Sequence, residues 1–449
     1  MELKCTFCFR KGRFKSSIAI AICILSIVVL IQFASVRHEY VSASYRSRDV
    51  FATWSSRNHC DVTRLKSWKE NVVTVLQPRI EANCSSLVAG DEREFERVKE
   101  RLGTWKNAQS EEEFLKSLDN CSHIMEEYLN NFYTSPEEER FPLAYILVVY
   151  TNARQVLRFL KVIYRPHNLY CIHPDAKQGE NFTTAFQSIS RCLINVFVAS
   201  KMEKVSYEHH SILDAQLNCM KDLMPYDHAR WKYVINLCGR EIPLQTNRGI
   251  VRSLVELNST SVVNAHEMSE ADMNRFAFKV ALNFHGHAYY TQTELGPVPL
   301  DIKIYKAMNY MALSRPFISF LLNNETAIVF RKYLKDVRVP EEHFFASLYK
   351  LPNVPGGPSR KENVRMPFVN ENIWLTTGHN ETCKGRSVHN ICVISSGDLP
   401  LVYSRGVNSH HPVFFFNKYF MESDHIVMDC MEQRLLELNK FEHEQDCLM

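Results

Sequence analysis

A strand–helix–strand pattern between Phe141 and Asp175 constrains the fold of this chain more than any other feature. Its first strand, 144–150, is continuously apolar, as is typical of a strand buried on both faces, and an amphipathic helix and a second strand follow. Ligands of open α/β sheets bind beyond the carboxyl ends of the strands. The pattern therefore predicts a nucleotide-binding cleft with one rim formed by Val148, Val149, Tyr150 and Asp175.

The alternation of strands and helices continues beyond this unit. Further strands are predicted over 195–200 and 231–238, and further helices over 209–224 and 341–351. Alternating units of this kind build a parallel sheet that is covered by helices. The fold class is therefore predicted to be α/β, with a Rossmann-like nucleotide-binding domain.

The N-terminal region predicts a membrane anchor. Five Lys and Arg residues precede Ser16, and the stretch from Ser16 to Val36 carries no charge. About 20 apolar residues span a bilayer, and a basic flank stays on the cytoplasmic side. A cleaved signal peptide is the alternative, although its apolar core is only about 7 to 15 residues long. The predicted organisation is a cytoplasmic tail (1–15), a transmembrane signal anchor (16–36), a lumenal stem (37–139) and a globular domain (140–449).

Cysteines and glycosylation sequons agree with a lumenal globular domain. Fourteen cysteines are present and eleven follow the predicted anchor, which favours an oxidising compartment. The net charge of +3 gives no support for nucleic-acid binding, because the one basic cluster belongs to the anchor. N-glycosylation is predicted at the six sequons beyond the anchor, Asn83, Asn120, Asn181, Asn258, Asn324 and Asn380.

Several sequence blocks in a fixed order identify a family resemblance. The blocks are FPLAYILVVY, YCIHPDAK, NVFVASKMEKVSY, LNCMKDLM, WKYVINLCGREIPLQTN, VPEEHFFASL, PNVPGG, ICVISSGDL and FFFNKY. Over about Cys84 to Cys430 the chain resembles the core-2/I-branching β1,6-N-acetylglucosaminyltransferases. The resemblance implies a GT-A-type glycosyltransferase domain behind a single-pass type II anchor in the Golgi membrane. It also implies inverting transfer from a UDP-sugar, N-acetylglucosamine by default, in β1,6 linkage to a mucin-type O-glycan core on a glycoprotein.

The family resemblance also implies that no metal or other cofactor takes part. A transferase of this fold usually holds the donor diphosphate through a metal bound by Asp-x-Asp, and this sequence contains no such motif. Side-chain cations must then neutralise the departing diphosphate. Lys418 matches one family cation, while His389 stands where the family has an arginine. Either His389 or the nearby Arg386 is expected to take that role, or diphosphate binding is weaker.

The resemblance assigns further roles residue by residue. Glu342 matches the catalytic base, with Glu341 as an adjacent decoy, and inverting transfer needs one such carboxylate to take the acceptor proton. Donor contacts fall on Val148, Val149, Tyr150, Asp175 and Tyr207. The family's acceptor-binding Glu, Lys and Arg fall on Asn264, Asp272 and Arg275, so only the arginine is kept, and Trp374 is a candidate platform for stacking of an acceptor sugar.

A second departure from the family lies at Lys306 to Asn309, where the family has small residues. Bulkier side chains near the donor sugar leave glucose and xylose open as donors. An I-type branch on lactosamine is likewise open as the product. From another class, a membrane-anchored carbohydrate-binding protein that has lost catalysis remains an alternative.

The family disulfide framework falls on cysteines of this chain. The implied pairs are Cys84 with Cys430, Cys121 with Cys192, Cys171 with Cys219, and Cys383 with Cys392, and Cys238 matches an unpaired thiol. Cys60 and Cys447 lie outside the match. They either pair with each other or link two chains.

Overall fold

The computed structural model describes residues 82–103, 110–129, 132–226, 230–358, 365–375 and 383–448. The predicted tail and anchor, Cys60 and the sequon at Asn380 lie outside these ranges, as does the side chain of Cys447. Within the described ranges no helix is both long and apolar enough to cross a bilayer. The predicted anchor therefore stays a prediction.

Helices and strands alternate from residue 143 onward, behind a group of short helices. The helices are α1 (Cys84–Val88), α2 (Glu92–Leu102), α3 (Glu111–Ser117), α4 (Cys121–Leu129), α5 (Pro136–Arg140), α6 (Ala153–Ile163), α7 (Glu180–Cys192), α8 (Ser211–Leu223), α9 (Asn247–Glu256), α10 (Glu270–Met273), α11 (Arg315–Asn323), α12 (Glu325–Leu334), α13 (Glu341–Tyr349), α14 (Leu399–Val402) and α15 (Ile426–Leu448). The strands are β1 (Leu143–Val149), β2 (Leu169–Pro174), β3 (Val196–Val198), β4 (Tyr233–Leu237), β5 (Glu241–Pro243), β6 (His266–Glu267), β7 (Phe278–Leu282), β8 (Ala288–Glu294), β9 (Tyr305–Lys306), β10 (Ala312–Ser314), β11 (Phe368–Asn372), β12 (Ser387–Val388), β13 (Ile391–Cys392) and β14 (Val413–Asn417).

A five-stranded sheet in the order β10-β4-β1-β2-β3 forms the centre of the domain. The four strands β4, β1, β2 and β3 run parallel, and β10 is antiparallel to β4 at the edge. Ile146 of β1 faces Cys171 of β2 and Asn236 of β4 in the register. The strands that the sequence predicted are the ones that form this parallel sheet, so the α/β prediction is confirmed.

The apolar run of β1 is explained by burial on both faces of the sheet. Leu143, Tyr145 and Leu147 pack into one core with α6, while Ala144 and Ile146 pack into a second core with α8, α11 and α13. A strand between two helical layers cannot alternate apolar and polar residues, because both faces lose water. This is the reason that the strand reads as a continuous apolar segment.

The helices that fall within the predicted stem pack against the α/β domain. Phe114 and Tyr128 belong to the same core as β1 and α6. Phe95 and Val98 of α2 join a third core with β5, β14 and α15. Burial of an apolar face is what holds short helices in place, since they are marginal alone. In the described part of the chain, the packed region therefore begins near residue 82 rather than at 140.

A smaller sheet in the order β11-β14-β5 lies beside the third core. β14 pairs in parallel with β11 and antiparallel with β5. Its residues Phe414 to Phe416 are fully buried, and Asn417 at its end is 1 % exposed. The strand therefore fixes the position of Lys418, which follows it directly.

The four implied disulfides are present in the structure. Cys84 is bonded to Cys430, and the remaining bonds join Cys121 to Cys192, Cys171 to Cys219 and Cys383 to Cys392. Cys238 is the free cysteine among the described residues. The five described sequon asparagines, Asn83, Asn120, Asn181, Asn258 and Asn324, are all exposed.

Replacement of both Cys84 and Cys430 with serine should lower the free energy of unfolding by about 2 to 5 kcal/mol. The bond closes a loop of 346 residues, which is the longest loop closed by a described disulfide and the largest restriction on the unfolded chain. Urea denaturation followed by tryptophan fluorescence measures the loss. The matched control replaces Cys383 and Cys392, whose loop spans nine residues, and should cost less. An equal or larger cost for the control would contradict the argument from loop length.

Candidate active site

The predicted donor residues on β1 and β2 meet at one edge of the central sheet. Val149 ends β1, and its carbonyl oxygen accepts a hydrogen bond of 2.8 Å from the backbone N–H of Asp175, which follows β2. Val149 is buried, while the next residue, Tyr150, is 40 % exposed. The strand end thus passes from the core into an open cleft at Tyr150, as the topology predicts.

The Asp175 carboxylate fixes a neighbouring loop through hydrogen bonds. Its Oδ1 accepts hydrogen bonds from the backbone N–H groups of Lys177 at 3.0 Å and Val205 at 3.1 Å. The carboxylate is 3 % exposed. The Val205 bond holds the segment that leads to Tyr207, so two predicted donor residues are structurally linked.

Tyr207 and His389 are brought together by the fold although 182 positions separate them in the sequence. Their rings stack with centroids 4.7 Å apart and planes 21° from parallel. His389 and Asn390 have φ values of 54° and 59°, which is the pattern of a tight type I′ turn between β12 and β13. The turn presents the imidazole to the exposed face of Tyr207.

Two arginine side chains pack against Phe420, and Lys418 lies two residues before it in the chain. The Arg240 guanidinium lies 4.1 Å from the Phe420 ring centroid and 5.4 Å from that of Tyr150. Arg386 lies 5.1 Å from the same Phe420 ring. Burial lowers the pKa of Lys418 from its ordinary value near 10.5, and the neighbouring Arg240 charge adds to this. The arrangement supplies positive charge where the predicted donor diphosphate would lie.

Arg240 was not predicted as a site residue from the sequence. Its guanidinium is held in place by Gln155. Gln155 Oε1 accepts hydrogen bonds from Arg240 Nη1 at 3.2 Å and from the Met421 backbone N–H at 2.8 Å. Its Nε2 donates to the carbonyl oxygens of Gly239 at 2.8 Å and Tyr419 at 3.1 Å. The signal in the sequence was Gln155 itself, a polar residue on the buried face of α6.

The turn that carries Arg240 requires glycine at position 239. Gly239 has a φ of +74°, which is in the left-handed region, and a Cβ there would lie 2.8 Å from Val156 Cγ2. The close approach brings the end of β4 against α6. Arg240, which is 3 % exposed, therefore follows the end of β4, the strand next to β1.

Glu342 lies at the start of α13 with its two carboxylate oxygens in different environments. Oε2 accepts a hydrogen bond of 2.6 Å from Arg275 Nη1 and lies 4.0 Å from Lys306 Nζ. Among the described residues, Oε1 accepts no hydrogen bond, and a quarter of the side chain is exposed. One oxygen is therefore fixed by the protein while the other remains accessible to a substrate proton.

Asp272 and Lys306 complete an alternating ring of charges with Glu342 and Arg275. Lys306 Nζ donates to Asp272 Oδ1 at 2.7 Å, and Arg275 Nη2 lies 3.5 Å from the same oxygen. Burial raises the pKa of Asp272, but hydrogen bonds from Lys306 and Ser269 outweigh this and lower it to about 2. Each cation thus bridges two carboxylates, which fixes all four side chains.

Lys306 was expected to affect the donor sugar, and in the structure it pairs with Asp272, one of the predicted acceptor residues. Its strand β9 pairs with β6, where Lys306 faces His266. The next residue, Ala307, donates its backbone N–H to the carbonyl oxygen of Glu342 at 2.9 Å. The Lys306 substitution therefore changes the surroundings of Glu342 and Asp272.

Glu341 and His343 are not suited to act as the base. Burial raises the pKa of Glu341 to about 8, and its side chain is 5 % exposed. His343 is fully buried, and burial lowers its pKa to about 3. Its Nε2 lies 3.4 Å from Arg275 Nη1, so it helps to orient that arginine. Only Glu342 of these three neighbours reaches solvent.

The structure places the two remaining predicted acceptor residues in different regions. Asn264 is two residues before β6 and is partly buried. Trp374 is 42 % exposed and forms a β-bridge with Ile391, beside the hairpin that carries His389. Trp374 therefore lies near a predicted donor residue, and its expected contact with the acceptor stays a prediction.

Cys238 is a free, partly buried cysteine two residues before Arg240. Its Sγ lies 3.0 Å from Glu241 Oε1 and 3.5 Å from the Tyr310 hydroxyl. Burial, followed by the negative charge of Glu241, raises the pKa of the thiol far above its usual range. The thiol is therefore neutral and unreactive, since the thiolate is the reactive form.

Potential metal ligands are few within the described ranges. The one group of Cys, His and carboxylate atoms that lies within metal-binding distances consists of Cys383, Cys392 and Asp398. The two cysteines are bonded to each other, which removes them as ligands. The expectation that no metal takes part in the reaction stays a prediction.

Comparison with known proteins agrees with the family resemblance of the sequence. Residues 143–400 match the family model described as Core-2/I-Branching enzyme. A Danio rerio beta-1,3-galactosyl-O-glycosyl-glycoprotein beta-1,6-N-acetylglucosaminyltransferase 4 is 33% identical over 332 residues, covering 70% of this chain and 74% of that protein. The Homo sapiens beta-1,3-galactosyl-O-glycosyl-glycoprotein beta-1,6-N-acetylglucosaminyltransferase is 29% identical, with coverage of 80% and 86%. A Mus musculus N-acetyllactosaminide beta-1,6-N-acetylglucosaminyl-transferase is 32% identical, with coverage of 79% and 84%. The chain therefore belongs to the Core-2/I-Branching enzyme family and is a glycosyltransferase.

Proposed function

We propose that the protein is a Golgi enzyme of single-pass type II topology that transfers a sugar from a UDP-sugar with inversion and without a metal. N-acetylglucosamine is the default sugar, and the product is a β1,6 branch on a mucin-type O-glycan core. The names of the related enzymes support the sugar, the linkage and the glycoprotein acceptor. The anchor predicted over 16–36 and the sequons support the location.

The asymmetric environment of Glu342 carries this proposal. Oε2 is held by Arg275, and Oε1 accepts no hydrogen bond from the described residues, while a quarter of the side chain is exposed. In the proposed reaction Oε1 takes the proton of the acceptor 6-hydroxyl as that oxygen attacks the anomeric carbon. The bond from the anomeric carbon to the diphosphate oxygen breaks, and its electron pair leaves with UDP. Attack opposite to the leaving group inverts the anomeric centre.

Departure of UDP adds one negative charge to the diphosphate, and the protein must stabilise that charge. Lys418, with His389 or Arg386, is proposed to bind its oxygens, and Arg240 adds a fixed charge behind Phe420. Preorganised cations at the position where charge develops lower the barrier without reorganisation. Tyr207 beside His389 then places the donor between the cation group and Glu342.

A lactosamine acceptor is the second candidate, giving an I-type branch. The mouse and human N-acetyllactosaminide enzymes are 32% and 34% identical to this chain, as similar as the O-glycan enzymes. The pairing of Lys306 with Asp272 beside Glu342 also points to an altered acceptor subsite. Glucose and xylose remain possible donors, and a non-catalytic carbohydrate-binding role is the alternative from another class.

A donor and acceptor screen tests the proposal. The lumenal segment from Arg37 to Met449 is purified and given UDP-N-acetylglucosamine, UDP-glucose or UDP-xylose with excess EDTA. The acceptors are a core 1 disaccharide and N-acetyllactosamine. Transfer of N-acetylglucosamine to the disaccharide is expected. Dependence on added metal would contradict the cation mechanism, and UDP binding without any transfer would favour the non-catalytic role.

Replacement of His389 with arginine should keep or raise transfer above pH 7. A histidine is only partly charged near neutral pH, whereas arginine is always charged. Initial rates from pH 6 to 9 measure the effect, with Arg386→Gln as the comparison. A large fall in rate for His389→Arg would remove His389 from the diphosphate site, and a large fall for Arg386→Gln would assign the role to Arg386.

Replacement of Asp272 with asparagine should lower kcat/KM for the acceptor by about tenfold. Lys306 and Arg275 would then face a single carboxylate, Glu342, in place of two. Arg275 and Lys306 then lose one of their two partners, so the position of the Glu342 side chain should be less well fixed. An unchanged kcat/KM would show that Asp272 has no role in the site.

A further inference from the structure

The hairpin formed by β7 and β8 exposes an unusual number of aromatic side chains. Phe284 at its tip is 91 % exposed, which is the highest value for any large apolar residue in the described part of the chain. Tyr289 is 48 % exposed and Tyr290 37 %. Scattered exposed apolar residues are normal, but a cluster on one element marks an interaction site.

The base of this hairpin is joined to the catalytic cluster. Arg275, which binds Glu342, is three residues before Phe278, the first residue of β7. The ring of the intervening Phe276 packs edge-on against His343 with centroids 5.1 Å apart. A polypeptide or sugar bound at Glu342 would therefore meet the start of β7 as it leaves the site.

Val280 and Tyr290 of the hairpin contact residues 336–338, which precede the helix of Glu342. Val280 donates its backbone N–H to the carbonyl oxygen of Asp336 at 2.8 Å. The Arg338 guanidinium lies 5.0 Å from the Tyr290 ring centroid, and its Nε donates to Glu208 Oε2 at 2.9 Å. These contacts fix the hairpin relative to the site on which the proposed function rests.

The tip of the hairpin reaches the donor side of the same cleft. A Cβ at Gly286 would lie 3.7 Å from Ser206 Oγ, and Ser206 precedes Tyr207. Burial and the charges of Glu208 and Glu342 raise the pKa of Tyr207, in agreement with the closeness of these groups. The hairpin therefore runs along the cleft from Arg275 to the neighbourhood of Tyr207.

The outer edge of β8 has the properties of a peptide-binding strand. Among the described strands, β8 pairs only with β7, in a two-stranded sheet. An unpaired edge offers backbone N–H and C=O groups to an extended polypeptide, which a glycan cannot match in the same repeating way. Its sequence AYYTQTE carries one charge, at Glu294, so the edge suits an uncharged partner.

We propose that this hairpin binds the polypeptide of the glycoprotein acceptor, on residues that flank the glycosylated side chain. This inference rests on the proposed function, because it assumes a glycoprotein acceptor. The partner is an extended, uncharged segment rich in Ser, Thr and Pro, whose backbone pairs with β8 and whose aliphatic carbons pack on Phe284 and Tyr289. Aromatic surfaces of this kind recognise extended and Pro-rich segments in other proteins.

The test compares two acceptors that carry the same disaccharide, one on a neutral Thr- and Pro-rich peptide and one as a methyl glycoside. Wild type should prefer the glycopeptide. The double variant Phe284→Ala, Tyr289→Ala should raise KM for the glycopeptide about tenfold. A tenfold change corresponds to about 1.4 kcal/mol of binding free energy, which is the loss expected for aromatic residues at an interface. Its kinetics with the methyl glycoside should equal those of wild type. The control Phe441→Ala alters a residue that is 59 % exposed on the last helix and should change neither acceptor.

Two outcomes would overturn the inference. Equal losses on both acceptors would show that the hairpin shapes the sugar site, and unchanged kinetics on both would show that it binds no part of the acceptor. If wild type transfers to neither acceptor, the proposed function has failed instead. Binding of a fluorescently labelled glycopeptide then decides: loss of binding in the double variant supports the docking surface, and equal binding removes it.

Discussion

Replacement of Glu342 with glutamine should lower the rate of transfer by about 10² to 10⁴-fold, because the amide cannot accept the acceptor proton. Glutamine keeps the shape of the side chain and can still accept a hydrogen bond from Arg275 at the Oε2 position. Donor binding should therefore stay near the wild-type value. Initial rates measure the first effect, and isothermal titration calorimetry with UDP measures the second.

Glu341→Gln is the matched control for Glu342→Gln, because the two carboxyl groups are adjacent in the same helix turn. The raised pKa of Glu341, about 8, means that its buried carboxyl group is mostly protonated at pH 7. A neutral amide then replaces a neutral acid, and most activity should remain. Equal loss of UDP binding in Glu342→Gln would show that Glu342 is structural. A greater loss of transfer in Glu341→Gln would move the base to Glu341.

Replacement of Lys418 with methionine should lower kcat by about 10² to 10³-fold, which is the effect of removing one preorganised charge from a developing anion. Methionine is apolar and close to lysine in length, so the side-chain packing next to β14 should be preserved. The folded state can be checked by thermal denaturation. The exposed Lys335, when replaced with methionine, controls for the loss of one formal charge and should leave kcat unchanged.

The pH dependence of Lys418 gives a second measurement of the same role. Burial lowers its pKa below the ordinary 10.5, so the ammonium loses its proton at a lower pH than an exposed lysine would. Wild-type transfer should fall on the alkaline side as the positive charge disappears. Lys418→Arg should retain more of its activity there, because arginine stays charged. A wild-type alkaline limb that persists unchanged in Lys418→Arg would show that another group causes it.

The central sheet could be predicted from the sequence because its signals are local. The apolar run of β1 and the helical period of α6 each lie within a dozen residues, and the strand ends then follow from the topology of parallel sheets. This local information was sufficient to place Tyr150 and Asp175 on one rim. It also led to the family, whose alignment pointed to Glu342.

The ring of charges around Glu342 could not be predicted, because its members come from three separate segments. Asp272 and Arg275 are 67 to 70 positions from Glu342, and Lys306 belongs to a two-residue strand with little propensity of its own. The pairing of β6 with β9 holds the segment that brings Lys306 to Asp272. The replacement of small family residues suggested a changed donor site, whereas the tertiary contacts of Lys306 are with Asp272 and Glu342.

For the helices within the predicted stem, the sequence did not reveal that they pack against the domain. Their sequences are polar and charged on average, which indicated a stem with helical stretches, yet Phe95, Val98, Phe114 and Tyr128 are buried against the domain. A few apolar residues on one face suffice when a large hydrophobic surface is available nearby. The disulfide from Cys84 to Cys430 fastens the same region to the last helix.

The stereochemistry and position of the new bond test the account most directly. The product of UDP-N-acetylglucosamine and the core 1 disaccharide, made in excess EDTA, is examined by proton and heteronuclear NMR for anomeric configuration and linkage. A single displacement with Glu342 as base predicts a β-anomer joined to the 6-hydroxyl. An α-anomer would contradict the single displacement, and a bond to any other hydroxyl would contradict the proposed acceptor geometry.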